Sequence, residues 1–343
     1  MTKKINYLIF FLLFIAISHC SFDNKTGIWD EGLQEKKRIA ELEKDQDIDS
    51  EYIKIYSSNK ILYEEISAKK SITLSKPTEN IKWQMSNYNL SNSLSNYYLS
   101  NVSNTFLKKK IGKDKFSIYN KVSAPLIYNN NIIFADDSGT IFYINKSGKV
   151  IWKKNIYKKV YKKIYKNLSF TIYKDKIYVV DNIGFLYAIN LQNSKVEWFK
   201  NHGTPLKSNI KIFDDNIYVI NQDNRILCFS IKNGNKIWDL RSVSSFIKSQ
   251  GLQSLAISNE GDLIALNTSG DLFKINARNG SLYWSLNITE SKLAHETDFF
   301  RSSSIVLNDL DIIFSASQSL FSFSLSNGYL NWKKKIDSIS TPI

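Results

Sequence analysis

Cysteine and histidine are the side chains best suited to nucleophilic or metal chemistry, and this chain has few of either: Cys20 and Cys228, and histidines at positions 19, 202 and 295. A zinc site needs several such ligands at close, regular spacing. His202 lies in the turn N201-H-G and His295 in the loop A294-H-E, and the chain has no Cys-x-x-Cys and no His-x-x-x-His. Both histidines therefore read as solvated side chains, and no metal site is expected. Serines are plentiful, but no G-x-S-x-G elbow presents one as a nucleophile, and the phosphate-cradling G-x-x-x-x-G-K-[ST] and G-x-G-x-x-G loops are missing. No residue is assigned a catalytic role. Cys228 alternates with Ile226 in R225-I-L-C-F-S, which on a strand makes it a small buried apolar residue, and an even cysteine set for a disulfide scaffold is absent.

The elements that would position these side chains form a repeat. Five segments end in an aromatic strand centred on Trp152, Trp198, Trp238, Trp284 and Trp332, at separations of 46, 40, 46 and 48 residues. The second unit reads F170-T-I-Y, the turn K174-D, I177-Y-V-V-D, the turn N182-I-G, F185-L-Y-A-I-N, then L191-Q-N-S and K195-V-E-W-F. Short β-branched and aromatic runs between turn formers are strands, and four per unit at this period make one propeller blade. Gly148, Gly234, Gly280 and Gly328 each stand four residues before a Trp, and Ser194 takes that place in the second unit. The glycines read as structural, because the hairpin turn there needs a positive φ. The recurring indoles read as packing groups between neighbouring sheets.

These signals predict an all-β chain, a propeller of four-stranded blades at about 124–157, 165–201, 204–241, 251–288 and 300–336. The blade starts A124-P-L and T204-P-L have an echo in T341-P-I, so residues 341–343 read as the start of a next blade. Residues 87–120, rich in Asn and Ser in their first half, read as a loop.

Composition narrows the class further. Apolar residues at 43% and aromatics at 13% supply a packed core and exclude a mainly disordered chain. A net charge of +14 would suit nucleic acid or an anionic membrane, but only five of the 46 basic residues are arginine and the lysines are scattered over turns and strand ends. A solvated basic surface follows, with no nucleic-acid partner.

The first residues read as a processing segment. Lys3 and Lys4 precede an apolar run over residues 5–17, shorter than the roughly 20 residues of a membrane span and suited to the core of a signal peptide. I17-S18-H19-C20 resembles the lipobox of bacterial lipoproteins, with His19 where that pattern has a small residue. The expected organisation is a signal peptide over 1–19, a lipidated Cys20 with a polar tether over 20–80, and the propeller over 81–343.

The spaced G-x-x-x-W hairpin in a blade of about 45 residues resembles the PQQ-like repeat. It lacks the Gly-His of WD40 blades and the paired glycines of kelch, and among the repeats only Trp238-Asp239 offers a Trp-Asp pair. Together with the lipobox-like start and the tether, it is similar to the BamB family of outer-membrane protein assembly factors. That resemblance implies a non-enzymatic scaffold lipoprotein on the periplasmic face of the outer membrane. It would dock on the POTRA domains of a BamA-like barrel protein and assist nascent outer-membrane proteins. It also implies partner contacts in the connections from the third to the fourth and from the fourth to the fifth blade, where Phe246, Ile247, Lys248, Asp298 and Arg301 are the candidates. In such rings an N-terminal strand completes the last blade, and I81-K-W83-Q, with Trp83 as a sixth repeat indole, takes that role near 81–86. Five blades fall short of the seven or eight such rings contain, so an incomplete ring, short by roughly 100 to 140 residues at this period, is expected. The rival readings are a periplasmic PQQ-dependent dehydrogenase, against which the absence of an adjacent cysteine pair counts, and a generic surface or sensor propeller; no cofactor is assigned.

Overall fold

The computed structural model describes residues 21–22, 29–30, 74–80, 82–98, 105, 107–112, 124–161, 163–242, 253–289 and 300–342. Two compact units divide the chain, Met1–Thr73 and Leu74–Ile343. In the first, Ser21–Phe22 pairs antiparallel with Trp29–Asp30. The expected signal peptide and Cys20 lie outside the described residues.

The second unit holds five four-stranded antiparallel sheets, each a simple meander in chain order. The first blade uses Leu126–Tyr128, Asn131–Ala135, Thr140–Asn145 and Val150–Asn155. The second uses Leu168–Tyr173, Lys176–Asp181, Phe185–Asn190 and Val196–Asn201. Lys211–Phe213, Asn216–Ile220, Ile226–Ser230 and Lys236–Leu240 make the third. Ser254–Ile257, Asp262–Leu266, Asp271–Asn276 and Leu282–Asn287 make the fourth. The fifth is Val306–Leu307, Asp311–Ala316, Ser319–Ser324 and Leu330–Lys335.

Local chemistry explains each meander. First and second strands of the second and third blades turn on two successive residues at positive φ, Lys174-Asp175 and Asp214-Asp215, the geometry that matches strand twist in a two-residue hairpin. Between second and third strands, a carboxylate or amide oxygen accepts backbone N–H groups of the turn: Asp136 from Thr140, Asp181 from Phe185, Asn221 from Arg225, and Asn267 from Asp271. Asp and Asn are favoured there because their side chains bond the backbone a few residues on.

The blades are joined by four apolar clusters, each spanning two consecutive blades. Among the described residues none of these clusters joins the fifth blade to the first. Middle strands are almost wholly buried, as in the Lys176–Asp181 and Asp262–Leu266 strands, whereas fourth strands carry exposed residues along their length. The fourth strand is therefore the outer edge and the first strand the inner one.

The repeat tryptophans lock one blade to the next. In every blade the register shifts next to the residue opposite the Trp, at Tyr143, Ala188, Cys228, Lys274 and Ser322, and such a bulge re-aims the side chain across it. The indoles of Trp198, Trp238 and Trp284 lie over Gly234, Gly280 and Gly328 of the following blade. Trp152, Trp198 and Trp238 also donate their Nε1–H to the carbonyls of Leu191, Ile231 and Ala277, at 2.8, 3.2 and 3.1 Å. Each acceptor stands seven residues before the next Trp. Gly148, which follows no earlier blade, is covered instead by Leu107 and by Lys109, whose Nζ donates to the Gly148 carbonyl.

Candidate interaction surface

Trp83 does not behave as a sixth repeat indole. It forms an antiparallel bridge with Ile127 in the first strand of the first blade, and Met85 bridges Thr171 in the first strand of the second. The strand expected to close the last blade from its outer edge therefore runs along the inner edge of the first two, because the inner strands' free N–H and C=O groups are the partners it meets.

The chain continues across the other blades. The Ile257 N–H donates to the Leu90 carbonyl and the Leu307 N–H to the Ser91 carbonyl, in the fourth and fifth blades. Residues 82–92 thus form a strap along the inner side of the array, so the start of the expected 87–120 loop is a structural member. Its Asn-rich composition has a physical use. Asn87, Tyr88 and Asn92 stand at positive φ, which Asn tolerates better than most residues.

Asn92, 2% exposed, is the hub. Its Nδ2 donates to the carbonyls of Leu255 and Ile305 at 3.0 and 2.7 Å, and its Oδ1 accepts from Lys211 Nζ at 2.5 Å. Lys211 also donates to the Asn89 carbonyl and approaches Met85 Sδ. One amide side chain therefore connects the strap to the third, fourth and fifth blades. Burial with no carboxylate partner pushes the Lys211 ammonium down to about 7.

Strand direction gathers the blade starts, the second-to-third turns and the blade-to-blade connections at one end of the sheets. Of the interaction residues expected from sequence, Phe246, Ile247, Lys248 and Asp298 lie outside the described residues, and Arg301 is exposed. The roots of their loops are firmly held. Ser242 Oγ donates to Asp271 and accepts from Asn267, and Gln253 donates to the Asn221 carbonyl and to Asn224. Phe300 is buried at the other loop's end. A 340 Å³ cleft opens between the strap and the inner strands, walled by Trp83, Asn87, Phe170 and Lys207.

Cys228 is buried and free, its thiol pushed up to about 12 by burial. His202 departs from the expected solvated setting: it stacks on Phe229 at 4.2 Å, and its Nε2 is buried. His295 lies outside the described residues. Among the described residues no three His, Cys, Asp or Glu side chains are grouped to hold a metal. The strap's own amides and Lys211 occupy the inner side at the third blade.

Fold and repeat together define a class, the PQQ-repeat β-propellers. A family model described as outer membrane protein assembly factor BamB matches residues 111–239 and, overlapping, 146–343. The chain belongs to that family. The BamB of Shewanella oneidensis is 22% identical over 244 residues, which take in 67% of this chain and 60% of that protein's own length. Among solved structures, BamB from Moraxella catarrhalis matches with a TM-score of 0.54 at 12% identity, covering 64% of this chain and 66% of that one. A quinohemoprotein alcohol dehydrogenase from Comamonas testosteroni matches with a TM-score of 0.57 at 12% identity, covering 75% and 49%. At such identities the structural likenesses carry the fold alone.

Proposed function

We propose that this chain is a non-enzymatic docking scaffold in the assembly of outer-membrane β-barrel proteins. The observation that carries the reading is the strap: it fastens the array from inside, so the connector end of the blades is a rigid platform, and loops 243–252 and 290–299 are offered from fixed roots. Rigid scaffolds presenting loops are a common basis for recognition. Membership of the BamB family supports a BamA-like barrel protein, engaged through its POTRA domains, as the proposed partner, with nascent outer-membrane proteins as proposed clients. Cys20 would carry the lipid that holds the chain at the periplasmic face of the outer membrane, after removal of residues 1–19.

Capture tests this directly. The full chain, tagged and drawn from detergent-solubilised outer membranes, should bring down a POTRA-bearing barrel protein; its absence overturns the reading. Reversing the charges of Lys248, Asp298 and Arg301 together should reduce capture about tenfold, on the order of 1.4 kcal/mol. Undiminished capture would remove those two loops from the interface. Replacing Cys20 by Ser should move the protein from the membrane fraction to the soluble one.

A further inference from the structure

The repeats serve as internal controls for one another, and one interface breaks their pattern. The residue after the Asn that ends the fourth strand is Ile156 in the first blade and Ile288 in the fourth, and both pack against the apolar cluster between blades. In the second blade that residue is His202. Its backbone keeps the repeat geometry, with the His202 N–H on the Gly184 carbonyl at 2.8 Å as the Ile288 N–H lies on Gly270 at 2.9 Å. An imidazole therefore stands where an aliphatic plug belongs.

The facing position varies from blade to blade and is basic in the third. The residue whose N–H bonds the turn carboxylate or amide is Thr140, Phe185 and Asp271 in the first, second and fourth blades, and Arg225 in the third. His202, Arg225, Lys236 and Asp239 surround a cavity of about 160 Å³ walled by Phe229 and Thr204. Asp239 engages Arg225 through Nη2, and Lys236 at 3.2 Å. Two cations against one carboxylate leave the cleft net positive. His202 Nε2 and Arg225 Nε are both buried with no protein partner. A buried, unpartnered donor is costly unless something accepts from it.

We propose that the cleft between the second and third blades is an oxyanion site, taking a phosphate-class ligand between His202, Arg225 and Lys236. Arg225 Nε and Lys236 Nζ donate to the anion, His202 donates through Nε2 when protonated, and Phe229 backs the imidazole. At roughly 30 Å³ per water, the cavity holds a few waters or one tetrahedral oxyanion. Without an anion, burial first and then Lys200 and Lys236 keep the imidazole below its ordinary pKa. A bound anion offsets these effects by its attraction for the imidazolium.

The imidazole C–H resonance of His202 in the full chain, assigned by its loss in His202→Ile, is titrated with inorganic phosphate against chloride at matched ionic strength. Phosphate should shift the resonance saturably and raise the pH midpoint of its titration. His202→Ile restores the plug of the sister blades, so it should fold and lose the phosphate-induced rise in Tm; Arg225→Gln should weaken phosphate binding at least tenfold. A parallel arm with anionic phospholipid vesicles separates the sources: response to phosphate alone marks a free oxyanion, and response to vesicles alone a lipid headgroup. An unmoved His202 resonance in both arms overturns the proposal. So does a phosphate-dependent rise in Tm that survives in His202→Ile, since it would place the anion elsewhere on this basic chain.

Discussion

The six-membered ring of Trp238 lies so close to Gly280 that a Cβ built there would stand 2.7 Å from the ring carbon Cδ2, well inside van der Waals contact. Gly280 belongs to the next blade, so a local turn residue and an indole 42 positions earlier fix the spacing of two sheets. The same pairing joins Trp198 to Gly234 and Trp284 to Gly328.

Gly280→Ala should therefore cost more than backbone strain alone. Gly203 is the control, with φ +73 and nothing within 4 Å of its built Cβ, against φ +76 at Gly280. Gly203→Ala should lose about 1 kcal/mol from the positive φ. Gly280→Ala should lose about 2 to 4 kcal/mol, because the rigid ring cannot yield and overpacking adds to the strain. Denaturant unfolding of the two variants reads the difference; equal losses would mean that the indole gives way freely.

The indoles themselves should be unequal. Trp238 is sandwiched and hydrogen-bonded to Ala277, whereas Trp332 is 40% exposed. Trp238→Ala should destabilise by about 3 to 5 kcal/mol and Trp332→Ala by about 1 kcal/mol, measured by the same unfolding curves.

Asn92→Leu tests the strap. It leaves the Leu255 and Ile305 carbonyls and one Lys211 donor without partners in the interior. A loss of at least about 3 kcal/mol is expected. Hydrogen exchange should show the inner strands of the third to fifth blades opening first; unchanged protection there would mean that the strap merely lies on the array.

Lys211 gives stability a pH dependence. Its folded-state pKa is depressed to about 7 from an ordinary value of 10.5, so between those limits the unfolded chain holds a proton that the folded chain does not. Stability should then rise with pH across that window, by up to about 1.4 kcal/mol per unit, and lose this dependence below pH 7. The two carbonyl acceptors favour the ammonium and moderate the slope. Lys211→Met should flatten the curve between pH 7 and 9.5, as followed by denaturant midpoints; a curve of the same slope would show that another group titrates.

The blades were legible because their determinants are local. The G-x-x-x-W spacing, the Asp and Asn turns and the alternating strands all act within a few residues, and pattern reading reaches that far. The strap was not legible. Residues 82–92 have neither helical nor strand periodicity, and their partners are distant: Lys211 is 119 positions from Asn92, and Ile305 is 213. An Asn-rich segment without periodicity reads as a surface loop, and Trp83 reads as one more repeat indole. His202 failed for a related reason, since a histidine beside a glycine reads as a solvated turn until a neighbouring blade places Phe229 against its ring.

By itself the sequence determined the all-β repeat, the hairpin glycines, the buried Cys228 and the absence of a catalytic motif, because these depend on side chain type and short-range backbone geometry. Tertiary structure alone decided which blade each indole covers, that the chain's own strap runs along the inner side, and that Lys211 is buried and the His202 Nε2 is shielded. Those are properties of packing between segments far apart in the chain, where burial and the lack of a partner, and not residue type, set the energy of each group.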